Sequence, residues 1–347
     1  MIGEEKMNEQ VKERFDALVI KSRLNAAIIA AAPRLKKERE RITSFLSCVG
    51  ATSIRIPEDD KRGIVTFRTD VPDPQYVGQA RTDLESNFLS VQRLANYVVR
   101  FTLSDADAEG IAKASAPEEV FQVGSVGSNI FAANMILAKG MEFDAIGAKG
   151  EDSAGDTTFV GLVPALLTTG LYGGVSTLMD QWSPNVLSNG GVLRPLTPDL
   201  MFDADRRVYE TKFEQWTHVL MTPGSVRRYQ QFLTYGAREN TLYWKGCPLI
   251  RHMGLPSGSI VFVNSHEIEV RRETPVIDAV PVPAFGGWNG PPAGEPVILG
   301  DMASGISGYV TSAIKVSDGV RCTMAIRAAL GLKSRRAHAL ICDIAEE

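Results

Sequence analysis

The sequence predicts an α+β fold of about two domains, and three observations carry that expectation. The first 45 residues repeat at helical spacing, later runs alternate at strand spacing, and both kinds of pattern recur over 347 residues. At a nominal ~150 residues per domain, that length gives about two. A chain of this size buries roughly three quarters of its unfolded surface, so its core needs no disulfide or metal staple.

Residues 1–45 read as helix. Val11, Phe15, Leu18, Val19 and Ser22 form one stripe at helical spacing among Lys12, Glu13, Asp16 and Lys21. Pro33 interrupts the pattern, and Arg34-Leu-Lys-Lys-Glu-Arg-Glu-Arg41 resumes it as a charged segment. So narrow an apolar stripe makes no domain alone, and this arm must lie on another surface, a neighbouring chain included.

Two alternating runs follow, Thr52–Ile56 and Ile64–Arg68, the second with Val65 and Phe67 on one face. Between them lies a polar turn, Pro57-Glu-Asp-Asp-Lys-Arg-Gly63, which predicts a long hairpin with a charged tip. Thr69-Asp-Val-Pro-Asp-Pro-Gln75 is extended, because each proline excludes the helical region for the residue before it. A two-stranded hairpin is marginal in water, so it too is built to lean on a partner.

Leu94–Leu103 is a β-branched and aromatic strand. Ser115-Ala-Pro-Glu118 matches a capping box and opens a helix that runs to about Gly147, some 30 residues and about 45 Å. Gly124, Gly127 and Gly140 each cost up to about 1 kcal/mol within it. They predict a bent helix, a closely packed one, or a break near Gly140. Gly147–Gly155 reads as a flexible loop.

The second region, about 157–300, holds a helix from Thr197 to Tyr209 and a strand over Trp216–Met221. A further helix is opened by Thr222 as N-cap, with Pro223 at its first position. Strands are expected at Gly258–Val263 and Glu267–Arg271. Residues 281–308 are an irregular glycine- and proline-rich excursion. The chain ends in strands over Gly308–Ile344, divided by Asp318-Gly319 and by Gly331–Arg336.

Composition excludes several classes. The formal net charge is −4, against a dedicated nucleic-acid binder. The longest apolar run, Ala26–Ala32, falls far short of the ~20 residues of a membrane span. The N-terminus carries three glutamates by residue 9, unlike a signal peptide. Cys48, Cys247, Cys322 and Cys342 show no C-x-x-C spacing and read as small hydrophobes in a reducing compartment.

Motifs for chemistry are weak. Gly124-Ser-Val-Gly-Ser128 is half a phosphate loop without its lysine, and it sits inside the expected helix as a packing feature. His218, His252, His266 and His338 form no metal-ligand or base–nucleophile spacing, and read as surface or hydrogen-bonded strand residues. Gly305-Ile-Ser-Gly308 and Gly254-Leu-Pro-Ser-Gly258 have the wrong spacing for a nucleophile elbow. Asp59-Asp60, Glu151-Asp152, Arg206-Arg207 and Arg227-Arg228 read first as solvated charge. The expectation is a protein without catalytic residues, cofactor or metal.

The order of elements resembles the major capsid protein of tailed bacteriophages. Trp182-Ser-Pro184, Gly190-Gly191 and Leu196-Thr-Pro-Asp-Leu200 resemble the entry to that subunit's axial domain. Val219-Leu-Met-Thr-Pro-Gly-Ser-Val-Arg-Arg-Tyr229 is similar to the strand and helix that follow there. Gly246-Cys-Pro-Leu-Ile250 and Leu255-Pro-Ser-Gly-Ser-Ile-Val-Phe-Val-Asn264 look like the family's next passage.

The resemblance implies an N-terminal arm (1–49), an extended loop (50–88), and a peripheral domain (89–156) with a spine helix at about 116–147. An axial domain (157–305) and C-terminal strands returning to the peripheral domain (306–347) would complete it. It implies a structural subunit that assembles into hexamers and pentamers of an icosahedral shell around double-stranded DNA. Subunit contacts would fall at Phe15, Leu18, Arg39, Arg41, Asp59, Asp60, Lys61, Arg62, Phe67, Arg227 and Arg228. Partners would be further copies, a separate scaffolding protein, a portal, packaged DNA held non-specifically and decoration proteins, in a virion capsid assembled in host cytoplasm. The short segment before the hairpin suggests a subunit without a cleaved scaffolding segment. Lys61 lies in the loop where some relatives form a covalent cross-link, but no acidic helper is identifiable and no cross-link is expected. The alternatives are an encapsulin-like compartment shell and a soluble α+β enzyme with a dispersed site.

Overall fold

The computed structural model describes residues 2–54, 63–72, 87–151, 156–179, 182–212, 216–232, 242–273, 276–277, 297–298 and 308–346. Two helices open the chain, α1 (Ile2–Ala30) and α2 (Ala32–Ile42), with Pro33 in the first turn of the second. Strands β1 (Gly50–Ile54), β2 (Ile64–Pro72), β3 (Asn87–Arg93) and β4 (Ala95–Leu103) follow. Then come α3 (Asp105–Lys113), α4 (Pro117–Gln122) and the long α5 (Val126–Gly147).

A stretch of short elements leads on through β5 (Lys149–Glu151), β6 (Thr157–Val160), α6 (Leu162–Leu167), β7 (Leu171–Tyr172), β8 (Val175–Ser176) and β9 (Asn185–Leu187). Next are α7 (Pro198–Lys212), β10 (His218–Met221), α8 (Pro223–Phe232), β11 (Tyr243–Trp244), β12 (Cys247–Arg251) and β13 (Ile260–Val263). Strands β14 (Ile268–Glu273), β15 (Val276–Ile277), β16 (Val297–Ile298), β17 (Tyr309–Val316), β18 (Gly319–Leu332) and β19 (Ala339–Ile341) complete the chain.

Two sheets organise these elements. In one, β18 is a fourteen-residue rail that pairs with β4 along one side and with β17 and then β14 along the other, and β1 lies parallel on β14. The other runs β11-β12-β10-β13-β19-β9. The chain crosses between them at β13–β14 and again at β18–β19, so a linear division of the sequence does not separate them. β14, from the stretch expected to be axial, belongs to the first sheet, and β19, from the C-terminal stretch, belongs to the second.

Four local expectations change. The strands at 52–56 and 64–68 do not pair with each other: β1 joins β14, and β2 forms a ribbon with β3. The expected long helix breaks at Gly124, whose φ is +38°, and not at Gly140, through which α5 runs on. A Cβ at Gly124 would collide with the Asp107 carboxylate, which accepts from the Ser125 hydroxyl at 2.8 Å and its amide at 3.3 Å. The N-cap of α4 is Ala116, without a side-chain bond, and Glu119 reaches back to the Ser115 amide at 2.7 Å. Residues 149–151, inside the expected Gly147–Gly155 loop, form a strand that pairs antiparallel with 157–160. By contrast Thr222 caps α8 as its sequence predicts, its hydroxyl accepting from the Ser225 amide at 3.1 Å.

α5 packs on the first sheet through Ile130, Ala133, Leu137, Met141 and Ala145, spaced three or four apart along one face. They meet Val310, Cys322, Met324 and Ile326 in a single core. Each large side chain buried there contributes about 1.5–3 kcal/mol. In the second sheet Ile260 and Phe262 face a separate core under α7 and α8, while Val261 and Val263 turn to the first core. That alternation lets β13 serve both.

Candidate interaction surfaces

The sequence places α1 on another surface, and its second half lies on its own chain. Ile20, Leu24, Ala27 and Ile28 are buried, and Leu18 of the expected stripe is 44% exposed. Two polar side chains sew the helix down. Arg23 Nη1 donates to the carbonyls of Ile111, Ala112 and Ala114 at 2.7–2.9 Å, where α3 ends and leaves carbonyls unpaired. Burial pulls the Arg23 pKa below its ordinary value. Asn25 donates to the Val310 carbonyl at 3.0 Å and accepts from the Val310 amide at 2.8 Å, acting as a one-residue strand partner for β17.

At the far end of α2, Arg41 is exposed and paired with Glu38 at 3.0 Å. Arg39 is half-buried and shares a small cavity with Thr43, Leu46, Met141 and Arg272. Burial lowers both guanidinium pKa values, and for Arg272 the like charge of Arg39 helps to bring it to about 9.

The root of the arm is tied to α5 by Glu142, a residue no motif singled out. The residue is 4% exposed. Oε1 accepts from the amides of Ser44 at 2.8 Å and Phe45 at 2.7 Å and from the Ser44 hydroxyl at 3.0 Å, and Oε2 from the Leu46 amide at 2.9 Å. His252 Nε2 lies 3.2 Å from Oε1, and the Gly254 amide donates to His252 Nδ1 at 3.0 Å, which fixes the proton on Nε2. Burial alone would raise the Glu142 pKa. The bonds from His252, Phe45 and Leu46 outweigh it and hold the carboxyl below its ordinary range.

The β2–β3 ribbon has two unlike faces. Val65, Phe67 and Val71 are buried, and a Cβ at Gly331 of β18 would strike the Phe67 ring. The Arg271 guanidinium sits 5.0 Å above the same ring. Phe67, expected at a subunit contact, therefore has its whole surface spent inside its own chain. The outer face carries Ile64, Leu89 and Val91, the last two 52% and 40% exposed, between Arg68 and Arg93. The ribbon also rests on the β7–β8 hairpin, where the Val91 amide donates to the Gly173 carbonyl at 2.8 Å. Beside it Leu171 is 65% exposed.

On the second sheet, Arg227 is exposed and Arg228 half-buried on α8. Phe202 and Tyr209 are exposed on α7, two turns apart. The loop with Val192 and Leu193 exposed is pinned by Asp343, which accepts from the Ser188 hydroxyl and the amides of Asn189 and Gly191 and whose pKa those bonds lower. The side chain of Phe15 and all of Asp59, Asp60, Lys61 and Arg62 lie outside the described residues.

Glu142 had a legible signal, since it falls on the helical face of Ala138, Met141 and Ala145, but nothing local pointed to its partners. Arg335 had none: it is fully buried and donates to the carbonyls of Leu166, Thr168 and Trp182. Among the described residues, no three His, Cys, Asp or Glu side chains group as metal ligands.

No protein-family model and no curated protein matches the sequence. Solved structures do. A chain of the cyanophage A-1(L) capsid asymmetric unit superposes with a TM-score of 0.51 at 15% identity, covering 87% of this chain and 93% of that one. A virus-like particle from Pyrococcus furiosus gives 0.48 at 10% identity over 92% and 98%, and the encapsulin complex of Synechococcus elongatus gives 0.46 at 13% over 88% and 89%. The cyanophage match shows the fold: this chain has the α+β fold of tailed-phage major capsid proteins.

Proposed function

We propose that this chain is a structural shell subunit, which assembles with further copies into the pentamers and hexamers of an icosahedral capsid enclosing double-stranded DNA. The observation that carries the reading is its likeness to the cyanophage capsid chain over nearly the full length of both. The surface supports it. The outer face of the β2–β3 ribbon and the Val192–Leu193 loop present exposed aliphatic side chains on hydrogen-bonded supports, which suits contacts between copies.

In this reading α1 and α2 are the arm, the β2–β3 ribbon is the extended loop, α5 is the spine helix, and the second sheet with α7 and α8 is the axial domain. Phe15, Leu18, Arg41, Arg227 and Arg228 remain contacts between copies, with Asp59–Arg62 at the ribbon tip. Arg39 joins them only at the edge of its cavity. Scaffolding, portal and decoration proteins would be further partners in the virion.

Electron microscopy of the purified protein, with sedimentation velocity on the same sample, tests this. Closed shells, or sheets of five- and six-membered rings, are expected. A monodisperse small oligomer at every concentration and salt tried would overturn the reading. Shells that form but exclude DNA in favour of a protein cargo would keep the assembly and replace the content.

A further inference from the structure

The carboxylate of Glu142 joins three separately built parts: the root of the arm at Ser44–Leu46, the long helix α5, and the loop that leaves the second sheet at His252. Every group around it is a donor. The Ser44, Phe45 and Leu46 amides and the Ser44 hydroxyl donate to it, and His252 is held as an Nε2 donor by the Gly254 amide. Such a ring of N–H and O–H groups accepts an anion well and a neutral carboxyl poorly, because a protonated oxygen would point its own hydrogen at a donor.

We propose that Glu142 is a latch whose ionised carboxylate holds the end of α2 onto α5, so that neutralising it lets residues 43–48 and the end of α2 lift while both sheets stay folded. The proposal rests on the subunit's own geometry and stands or falls apart from the shell reading. Its consequence is that one charge decides whether the end of α2 stays on α5, while α1 keeps its own ties to the body through Arg23 and Asn25.

The titratable groups facing the carboxylate are His252, on the loop after β12, and Cys48, just past α2, whose thiol pKa is raised by burial and by the Glu142 charge. Arg39 and Arg272 share the adjoining cavity with Met141 and Leu46. Because the Glu142 pKa lies below its ordinary value of 4.5, the latch is closed at neutral pH and opens as pH falls through that lowered value.

Hydrogen exchange on the full-length subunit tests this, with trypsin cleavage at Lys36, Lys37, Arg39 and Arg41 as a second readout. Glu142→Gln places an amide NH2 where the ring offers only donors. At neutral pH it should speed exchange at Ser44, Phe45 and Leu46 at least tenfold and speed tryptic cleavage of α2 by a similar factor. Amides of β4 and β18 should keep wild-type protection. The wild-type chain should show the same local opening on acidification, which guards against a variant that fails to fold. Ser44→Ala removes one bond of the ring and should give a smaller increase, about two- to fivefold. Unchanged protection in Glu142→Gln would sink the latch, because packing of Phe45 and Leu35 would then suffice. Loss of protection in β4 and β18 at the same rate would sink it equally, since the carboxylate would then hold the whole fold and not the arm.

Discussion

Neither α1 nor the β2–β3 ribbon buries enough apolar surface to stay ordered alone, and the chain fastens the two by different chemistry. The helix lies on β17 and α4 through Leu24, Ala27 and Ile28, and adds Arg23 and Asn25, whose bonds fix its register. The ribbon uses one large ring, Phe67, pressed against a glycine that leaves room for it. Polar fasteners fix direction and leave the surface plain; an apolar anchor fixes one face and leaves the other, also apolar, needing cover. In the shell reading, the ribbon therefore depends on a neighbour more than the second half of α1 does.

Truncating the apolar anchor should have the largest effect. Phe67→Ala removes a fully buried ring and should cost about 3–5 kcal/mol, read from the urea midpoint of the subunit. A loss under 1 kcal/mol would mean that the ribbon docks by its backbone bonds, and the contrast with α1 would collapse. Arg23→Met keeps the stem and removes the guanidinium from three carbonyls, and should cost about 2–3 kcal/mol. Asn25→Ala comes next at about 1–2 kcal/mol, because it leaves the Val310 amide and carbonyl without their partner. If Arg23→Met were silent, apolar burial alone would hold both appendages.

What the sequence made legible follows the reach of each interaction. Alternation over Ile64–Arg68 gave the correct faces, because side-chain direction in a strand is local. It gave the wrong partner for β1, because Gly50 pairs with Glu269 across more than two hundred residues that no local pattern encodes. The alternation puts Phe67 with Val65 on one face, but that its own chain covers this face, and not a neighbouring copy, is a tertiary fact. The helix break at Gly124 depended likewise on Asp107, seventeen positions earlier. The general fold was readable from the order of helices and strands, whereas Glu142, His252 and Arg335 act through partners around a hundred residues or more away.

The smallest effect on the subunit should come from the ribbon's outer face, and it is the sharpest test of the comparison. Val91→Asp, opposite Thr66 and beside Arg93, changes an exposed side chain on a strand whose inner face stays intact. Its effect on subunit stability should stay within about 0.5 kcal/mol. In the shell reading the same substitution puts a desolvated charge into a contact between copies, which costs far more there than in water. The expected outcome is a folded, soluble subunit that no longer closes shells under conditions where the wild type does, with Leu18→Asp on the helix less damaging. Normal shells from Val91→Asp would show that the ribbon's apolar outer face is left to solvent, and would move the burden of assembly to the second sheet and its Val192–Leu193 loop.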